Sequence, residues 1–272
     1  MTSTPSSPRM PVIFFGHGSP MNALDDNRAT RAWAALGAAA AKPRAILMIS
    51  AHWLPRGVAV TAMDAPRTIH DFGAFPAALF AQRYPAPGDP ALARRIAELL
   101  APEPVTLDQT WGFDHGTWSV LLKAYPNADI PVVQLGLDRT RDARAHYELG
   151  RALRPLRDEG VLIAASGNVV HNLGAMDWRA RDSAYDWAQS FNDYIADAIV
   201  ANRPEDAIRF MEQGAMAERS VPSPDHYWPL LYALGARHAD DPVRLETNFL
   251  EHGSLSMLSF MLGEPVRALE AV

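Results

Sequence analysis

The sequence predicts an α/β fold: a single domain with a mainly parallel or mixed central sheet, flanked by helices on both faces, and an active site at the carboxyl ends of the strands. Two observations carry this. Short apolar runs without polar alternation recur along the chain and stop at Gly, Pro or Ser, as strands buried on both faces do. Helical stretches separate them, and alternation of that kind builds a sheet covered on both sides.

In order, Val12–Phe15 is an apolar run ended by Gly16-His17-Gly18-Ser19-Pro20 and reads as a strand. Arg28–Ala41 is Ala-rich and reads as a helix. Ala45–Ile49 is a second buried strand, stopping at Ser50-Ala51-His52-Trp53. These three pieces form a βαβ unit with a right-handed crossover. Val58–Ala62 reads as a further strand and Thr68–Pro76 as a loop. Pro90–Leu100 is a helix with Asp89 as its N-cap. Val105–Leu107 is a short strand, and Thr117–Ala124 a helix beginning just after Asp114-His115-Gly116. Pro131–Leu137 is a strand, Ala143–Arg157 a helix, and Val161–Ala165 a buried strand ending in Ser166-Gly167-Asn168. Trp187–Val200 and Asp225–Leu234 are helices, the second preceded by Pro222-Ser223-Pro224. Val243–Phe249 and Ser254–Leu262 read as a late antiparallel pair. Nothing resembles a linker, so residues 11–272 are expected as one catalytic domain after a loose tail over 1–10.

Composition narrows the function. The 272 residues carry a formal net charge of −6, with no basic stripe for phosphates or anionic lipid. No nucleic-acid and no membrane partner is expected. The polar N-terminus has no apolar signal core, and no run is long enough to span a bilayer, so the cytoplasm is the expected location. The absence of cysteine excludes disulfides, thiolate metal sites and cysteine nucleophiles. A metal would therefore rest on His, Asp or Glu.

Nine histidines are present. His17, His52 and His171 follow apolar strands or their loops, and the carboxyl ends of strands are where open α/β sheets bind ligands. His115 and His226 sit in Gly- or Pro-marked turns. A lone histidine is more often structural than functional, so the case for these five is collective. His146 reads as a solvated helix residue and His238 as part of a polar surface stretch; His70 and His252 stay open. Rival motifs are missing: there is no GxSxG, Walker A, GxGxxG or HExxH.

Several longer stretches carry a resemblance: FFGHGSPMNAL, ISAHW, IHDFGAFP, YPAPGDPALA, GFDHGTW, ASGNVVHNLG, PSPDHYWPLLYALGA and GSLSMLSF. Together they run from residue 12 to 260. In them the chain resembles the class III extradiol ring-cleaving dioxygenases, and among these the subgroup acting on DOPA. The resemblance implies His17, His52 and His226 as metal ligands, His171 as the acid/base and His115 as a further catalytic histidine. It departs from the two-His, one-carboxylate pattern at His226, beside which Asp225 and Glu251 are the alternative ligands. It further implies one divalent metal, Fe(II) for activity with Zn(II) as a possible occupant, and a catechol and O₂ as reactants. The product would be a muconic semialdehyde. Ser19, Trp53 and Tyr227 are expected at the substrate, and Phe72 and Trp118 are candidate ring-pocket aromatics. A monomer or small homo-oligomer is expected. Two other readings use the same histidines: a zinc-dependent hydrolase, and a non-catalytic protein that binds metal or an aromatic ligand.

Overall fold

The computed structural model describes residues 9–265. An eight-stranded sheet runs through it in the order Val105–Asp108, Val58–Thr61, Val132–Gly136, Ala45–Ser50, Val161–Gly167, Val12–Gly16, Ser259–Leu262, Val243–Thr247. The four strands from Val132–Gly136 to Val12–Gly16 are mutually parallel. Val58–Thr61 and Ser259–Leu262 pair with this block antiparallel, so the sheet is mixed.

The apolar runs work as expected, because alternate side chains leave opposite faces of a strand. Phe14, Leu47, Ile49 and Leu135 pack on one face under the helices Pro90–Leu100, Ala143–Leu153, Asp186–Val200 and Trp228–Gly235. Ile13, Phe15, Ile46 and Met48 pack on the other under Arg28–Ala39 and His115–Ala124. Each face closes its own core. That is why these strands show no polar alternation.

Several boundaries differ from expectation for physical reasons. Val161–Gly167 lies between the two strands of the expected βαβ unit, so those strands are parallel but not neighbours. The helix expected from Thr117 begins at His115, because Asp114 is its N-cap and accepts from Thr117 N at 3.2 Å. The helix expected from Asp225 begins at Trp228. The preceding stretch is a turn in which Tyr227 N and Trp228 N both donate to Pro224 O. The Ala143 helix stops at Leu153, and a 3₁₀ turn containing Pro155 carries on to Arg157. Within the expected strand Ser254–Leu262, Leu255–Ser256 instead pairs with Leu250–Glu251 in a separate small sheet.

Residues 1–8 of the expected loose tail lie outside the described residues, but its end is anchored. Met10 is buried and its N–H donates to Arg157 O at 3.0 Å. Arg157 is itself fully buried and pairs with Asp241, at 2.9 Å between Nη2 and Oδ1.

His146 corrects the reading of a solvated residue. It is completely buried, lies with its ring centroid 4.4 Å from that of Trp228, and places Nδ1 3.2 Å from the Tyr232 hydroxyl. The Ala143 helix is covered by the Trp228 helix, so its polar-looking face is not free. Burial lowers the His146 pKa to about 4. The folded chain thus refuses a proton that the unfolded chain accepts below about pH 6.5. Stability is full above that pH and is lost as pH falls towards 4. The loss from this residue is roughly 3 kcal/mol, from 1.4 kcal/mol per pKa unit. Urea unfolding between pH 7 and 4 should show a shallower decline for His146→Gln than for the parent chain; equal slopes would refute this account.

Candidate active site

Three neighbouring parallel strands, Ala45–Ser50, Val161–Gly167 and Val12–Gly16, end together. At that edge the ladder runs on by one residue: His17 N donates to Gly167 O at 3.2 Å and Ala51 N to Ser166 O at 3.1 Å. Adjacent strands are about 4.8 Å apart. His17 and His52 are therefore delivered to one place, with Nε2 atoms 3.2 Å apart.

Each loop is tied down. After His17 the chain turns through Gly18 at φ +59°, a conformation glycine adopts without strain, and an added Cβ would lie 2.7 Å from Met257 Sδ. Asn22 donates to the His17 carbonyl at 3.1 Å. The strand of the third loop ends at Gly167, where a Cβ would come within 2.2 Å of His226 O. Only a glycine lets the His226 turn lie against the strand. Asn168 N then donates to His226 O at 2.8 Å, and Asn168 Nδ2 to Ser256 O at 2.7 Å. His171 is pinned by its N–H to Ser220 O at 2.9 Å.

The result is a group of five imidazoles. The His226 ring centroid lies 5.2 Å from that of His17 and 4.9 Å from that of His52. His115 lies 3.8 Å from His52 and 5.8 Å from His17, ring to ring. His171 stacks on His226 at 3.5 Å and 3°. Ligand nitrogens of His17, His52 and His115 all fall within 4.8 Å of one another, a spacing that can hold a metal ion.

Most of these rings have Nδ1 occupied. Asp225 Oδ2 lies 2.6 Å from His226 Nδ1, and Ser166 Oγ 2.9 Å from His17 Nδ1. Asp71 accepts from the His115 backbone N–H at 2.8 Å and from its Nδ1 at 2.9 Å, and lies 3.5 Å from His52 Nδ1. A carboxylate facing Nδ1 can only accept, so it fixes the proton there and leaves Nε2 as a lone pair. Burial, then the neighbouring imidazoles, holds His17 and His52 well below the usual histidine range. Burial, then His226, brings His171 to about 3. Burial would raise the Asp71 carboxyl, but the bond to His115 outweighs it and lowers the pKa.

These rings form the floor of a cavity of about 540 Å³ with Phe72, Phe75, Leu173 and Met176 on its walls. The arrangement is an apolar-walled pocket with a few convergent polar groups on its floor, the usual form of a small-molecule site. The profile of the family described as the catalytic LigB subunit of aromatic ring-opening dioxygenase matches residues 12–263. The chain belongs to this family. It is 52% identical to the 4,5-DOPA dioxygenase extradiol of Escherichia coli (strain K12), over 95% of this chain and 96% of that protein. It is 37% identical to the 4,5-DOPA dioxygenase extradiol of Beta vulgaris, over 92% and 95%. The crystal structure of an uncharacterized protein from Escherichia coli K12 has a TM-score of 0.82 at 47% identity, over 94% of this chain and 100% of that one. The resemblance in the sequence motifs thus holds, and the chain is an extradiol ring-opening dioxygenase.

Within this LigB-type pocket the expected substrate residues divide. Ser19 lines the cavity, although its hydroxyl also accepts from Met21 N at 3.3 Å as a cap. Trp53 does not line it: the ring stacks on Trp111 at 5.6 Å, facing away from the floor to which His52 belongs. Tyr227 is wholly buried, packs 4.3 Å from Phe210, and donates its hydroxyl to Ala207 O at 2.9 Å. Trp118 is buried too and donates to Ile69 O. Of the four aromatics singled out from the motifs, Phe72 alone reaches the cavity. The alternative carboxylates are also placed: Asp225 binds the far nitrogen of His226, and Glu251 pairs with Arg181 at 3.1 Å.

Asp71 was not singled out from the sequence, since an acid in a loop is ordinary; its position in the HDF triplet next to His70 and Phe72 was the available signal. Asp71→Asn should keep the fold, since the side chain is only partly buried, and lower turnover of a catechol by about 10- to 100-fold, the usual effect of removing a carboxylate that orients an active-site imidazole. Steady-state kinetics with far-UV circular dichroism checks this; parental turnover would show that Asp71 orients nothing.

Proposed function

We propose that the chain is a metal-dependent enzyme that opens a DOPA-like catechol with O₂ to a muconic semialdehyde of the seco-DOPA type. The observation that carries this reading is the cluster of imidazoles at the floor of an apolar cavity, with Nδ1 of His17, His115 and His226 held by neighbouring side chains. Neutral imidazoles with free Nε2 lone pairs are ligands for a divalent cation. His17 and His52 bring their Nε2 atoms to 3.2 Å, close enough for both to serve one ion.

Two histidines compete for the third ligand position. Metal–nitrogen bonds of about 2.1 Å at tetrahedral to octahedral angles put imidazole centroids roughly 4.5–5.2 Å apart. The spacings among His17, His52 and His226, at 5.1, 5.2 and 4.9 Å, suit this. Those of His115, at 3.8 and 5.8 Å, do not, even though its nitrogen is near. We therefore assign the metal to His17, His52 and His226. Iron(II) is the ion proposed for activity, and zinc(II) also suits three imidazoles. When bound, the metal lowers the pKa of a catechol hydroxyl and holds the ring and O₂ in contact.

The remaining roles belong to the chain. Phe72, Phe75, Leu173 and Met176 receive the ring and exclude water. His115, with Nδ1 held by Asp71, presents its Nε2 lone pair to a hydroxyl of the substrate. His171 is neutral at working pH and takes the second hydroxyl proton, then returns it later in the reaction. A catecholate drawn alongside supplies the negative charge that raises the affinity of His171 for that proton.

Anaerobic loading with Fe(II), addition of L-DOPA and admission of air should consume one O₂ per catechol and give a new visible absorbance. Turnover without O₂, or none with any catechol on an iron-loaded sample, defeats the reading. His226→Ala should lose bound metal, whereas His115→Ala should retain it and lose turnover. Metal retained by His226→Ala and lost by His115→Ala would reverse the ligand assignment. His171→Ala should keep the metal and lose turnover on the order of 10²–10⁴-fold.

A further inference from the structure

One side of the cavity, from the floor to the mouth, is made by two segments that run together. His171 bridges to Leu255, Asn172 N donates to Ser254 O at 3.1 Å, and Asp177 N donates to His252 O at 2.8 Å. Leu173, Met176 and Trp178 on one segment, and Leu255 and His252 on the other, line the cavity. Exposure rises along this side: Leu255 is 2% exposed, Leu173 55% and Trp178 72%. Trp178 is the most exposed large apolar side chain among the described residues. A tryptophan in water forgoes the burial that such a ring ordinarily gains, and apolar side chains exposed together beside a cavity mark a binding surface.

The backing of this indole is fixed. The His252 ring centroid lies 5.4 Å from that of Trp178 at 43°, and His252 Nδ1 lies 3.1 Å from Asp177 O. The His252 backbone is left-handed, at φ +52°, which a histidine adopts at a cost. Its N–H, donated to Arg181 O at 2.8 Å, and its carbonyl, taken by Asp177, hold it there. Residues kept in such conformations cluster at ligand clamps. The charges near the mouth are already matched: Arg181 Nε donates to Glu251 Oε1 at 3.1 Å, and Nη1 stands 3.9 Å from Asp25 Oδ2. What this side leaves open is apolar.

The size of the cavity agrees. About 540 Å³ falls within the roughly 300–1,000 Å³ that takes a drug-sized ligand, and a lone catechol ring is far smaller than such a ligand. We propose that Trp178, backed by His252 and flanked by Leu173 and Met176, forms an outer aryl subsite, and that the enzyme opens catechols whose substituent carries a second aromatic ring. The catechol hydroxyls face the histidine floor while the second ring packs on Trp178 at the mouth. This rests on the ring-opening reading above and adds a substrate class that the reading does not name.

The test uses the iron-loaded enzyme with 4-methylcatechol, 4-phenylcatechol and 4-(2-phenylethyl)catechol. The readout is kcat/KM of the better two-ring catechol divided by that of 4-methylcatechol, and in the wild-type enzyme it should exceed unity. Trp178→Ala should lower this ratio by roughly 3- to 10-fold, the worth of one aromatic pair, and leave 4-methylcatechol as it was. Trp178→Phe should keep most of the ratio, and Leu173→Ala should lower it. Both side chains are exposed, so the variants should fold, which far-UV circular dichroism checks. A wild-type ratio below unity, or a ratio that Trp178→Ala does not move, overturns the subsite while ring opening stands. If the wild-type enzyme opens none of the three, the ring-opening reading fails. Calorimetric titration of 4-phenylcatechol under nitrogen then judges the subsite alone: affinity weakened in Trp178→Ala and kept in Trp178→Phe supports it, and affinity unchanged in Trp178→Ala overturns it.

Discussion

Five imidazoles share a space where their rings nearly touch, and for three of them, His17, His52 and His171, burial disfavours the charged form. Burial, and after it the neighbouring imidazoles, act in the same direction on these three. Neutrality of His17, His52 and His171 costs stability in acid, but it leaves them as lone pairs rather than cations. The rest of the site is arranged around which nitrogen keeps the proton. Asp225 and Asp71 decide that for His226 and His115 by facing Nδ1.

The backbone supplies the positions and the loops supply the orientation. Parallel strands in register bring the chain to one edge at a fixed spacing, so His17 and His52 meet although 35 residues separate them. His226 follows no strand of the sheet at all. It reaches the floor because Gly167 lets a turn pack against a strand end and because Asn168 binds that turn's carbonyl. Asn168 also grips Ser256, and thereby couples the strand end to two later segments. A fault in any of these clamps would shift a ring without unfolding the sheet, which is how a rigid scaffold and a precise site are reconciled.

Much of this was legible in the residues. Uniformly apolar runs such as AILMI announce a strand covered on both faces, and they were placed correctly. Histidines that directly follow such runs announce a strand-end site. What was not legible depends on partners distant in the chain. His146 has the local surroundings of a surface residue, ARAHYE, and is buried only because the Trp228 helix lies over it. Trp53 and Tyr227 were drawn towards the substrate by adjacency to His52 and His226. Neighbouring residues in a turn point in different directions: Trp53 stacks on the partly buried Trp111, and Tyr227 packs on Phe210 in the core. Asp71 had no periodicity and no motif of its own; its role exists only once two imidazoles stand beside it.

The same division explains how the pocket is built as chemistry. The floor is held by bonds to backbone and to partly buried carboxylates, so its residues have little freedom to vary without losing the arrangement. The walls ask only for apolar volume, which many side chains supply. The fixed geometry therefore resides in the crowded histidines of the floor, while the walls set only the volume offered to a ring.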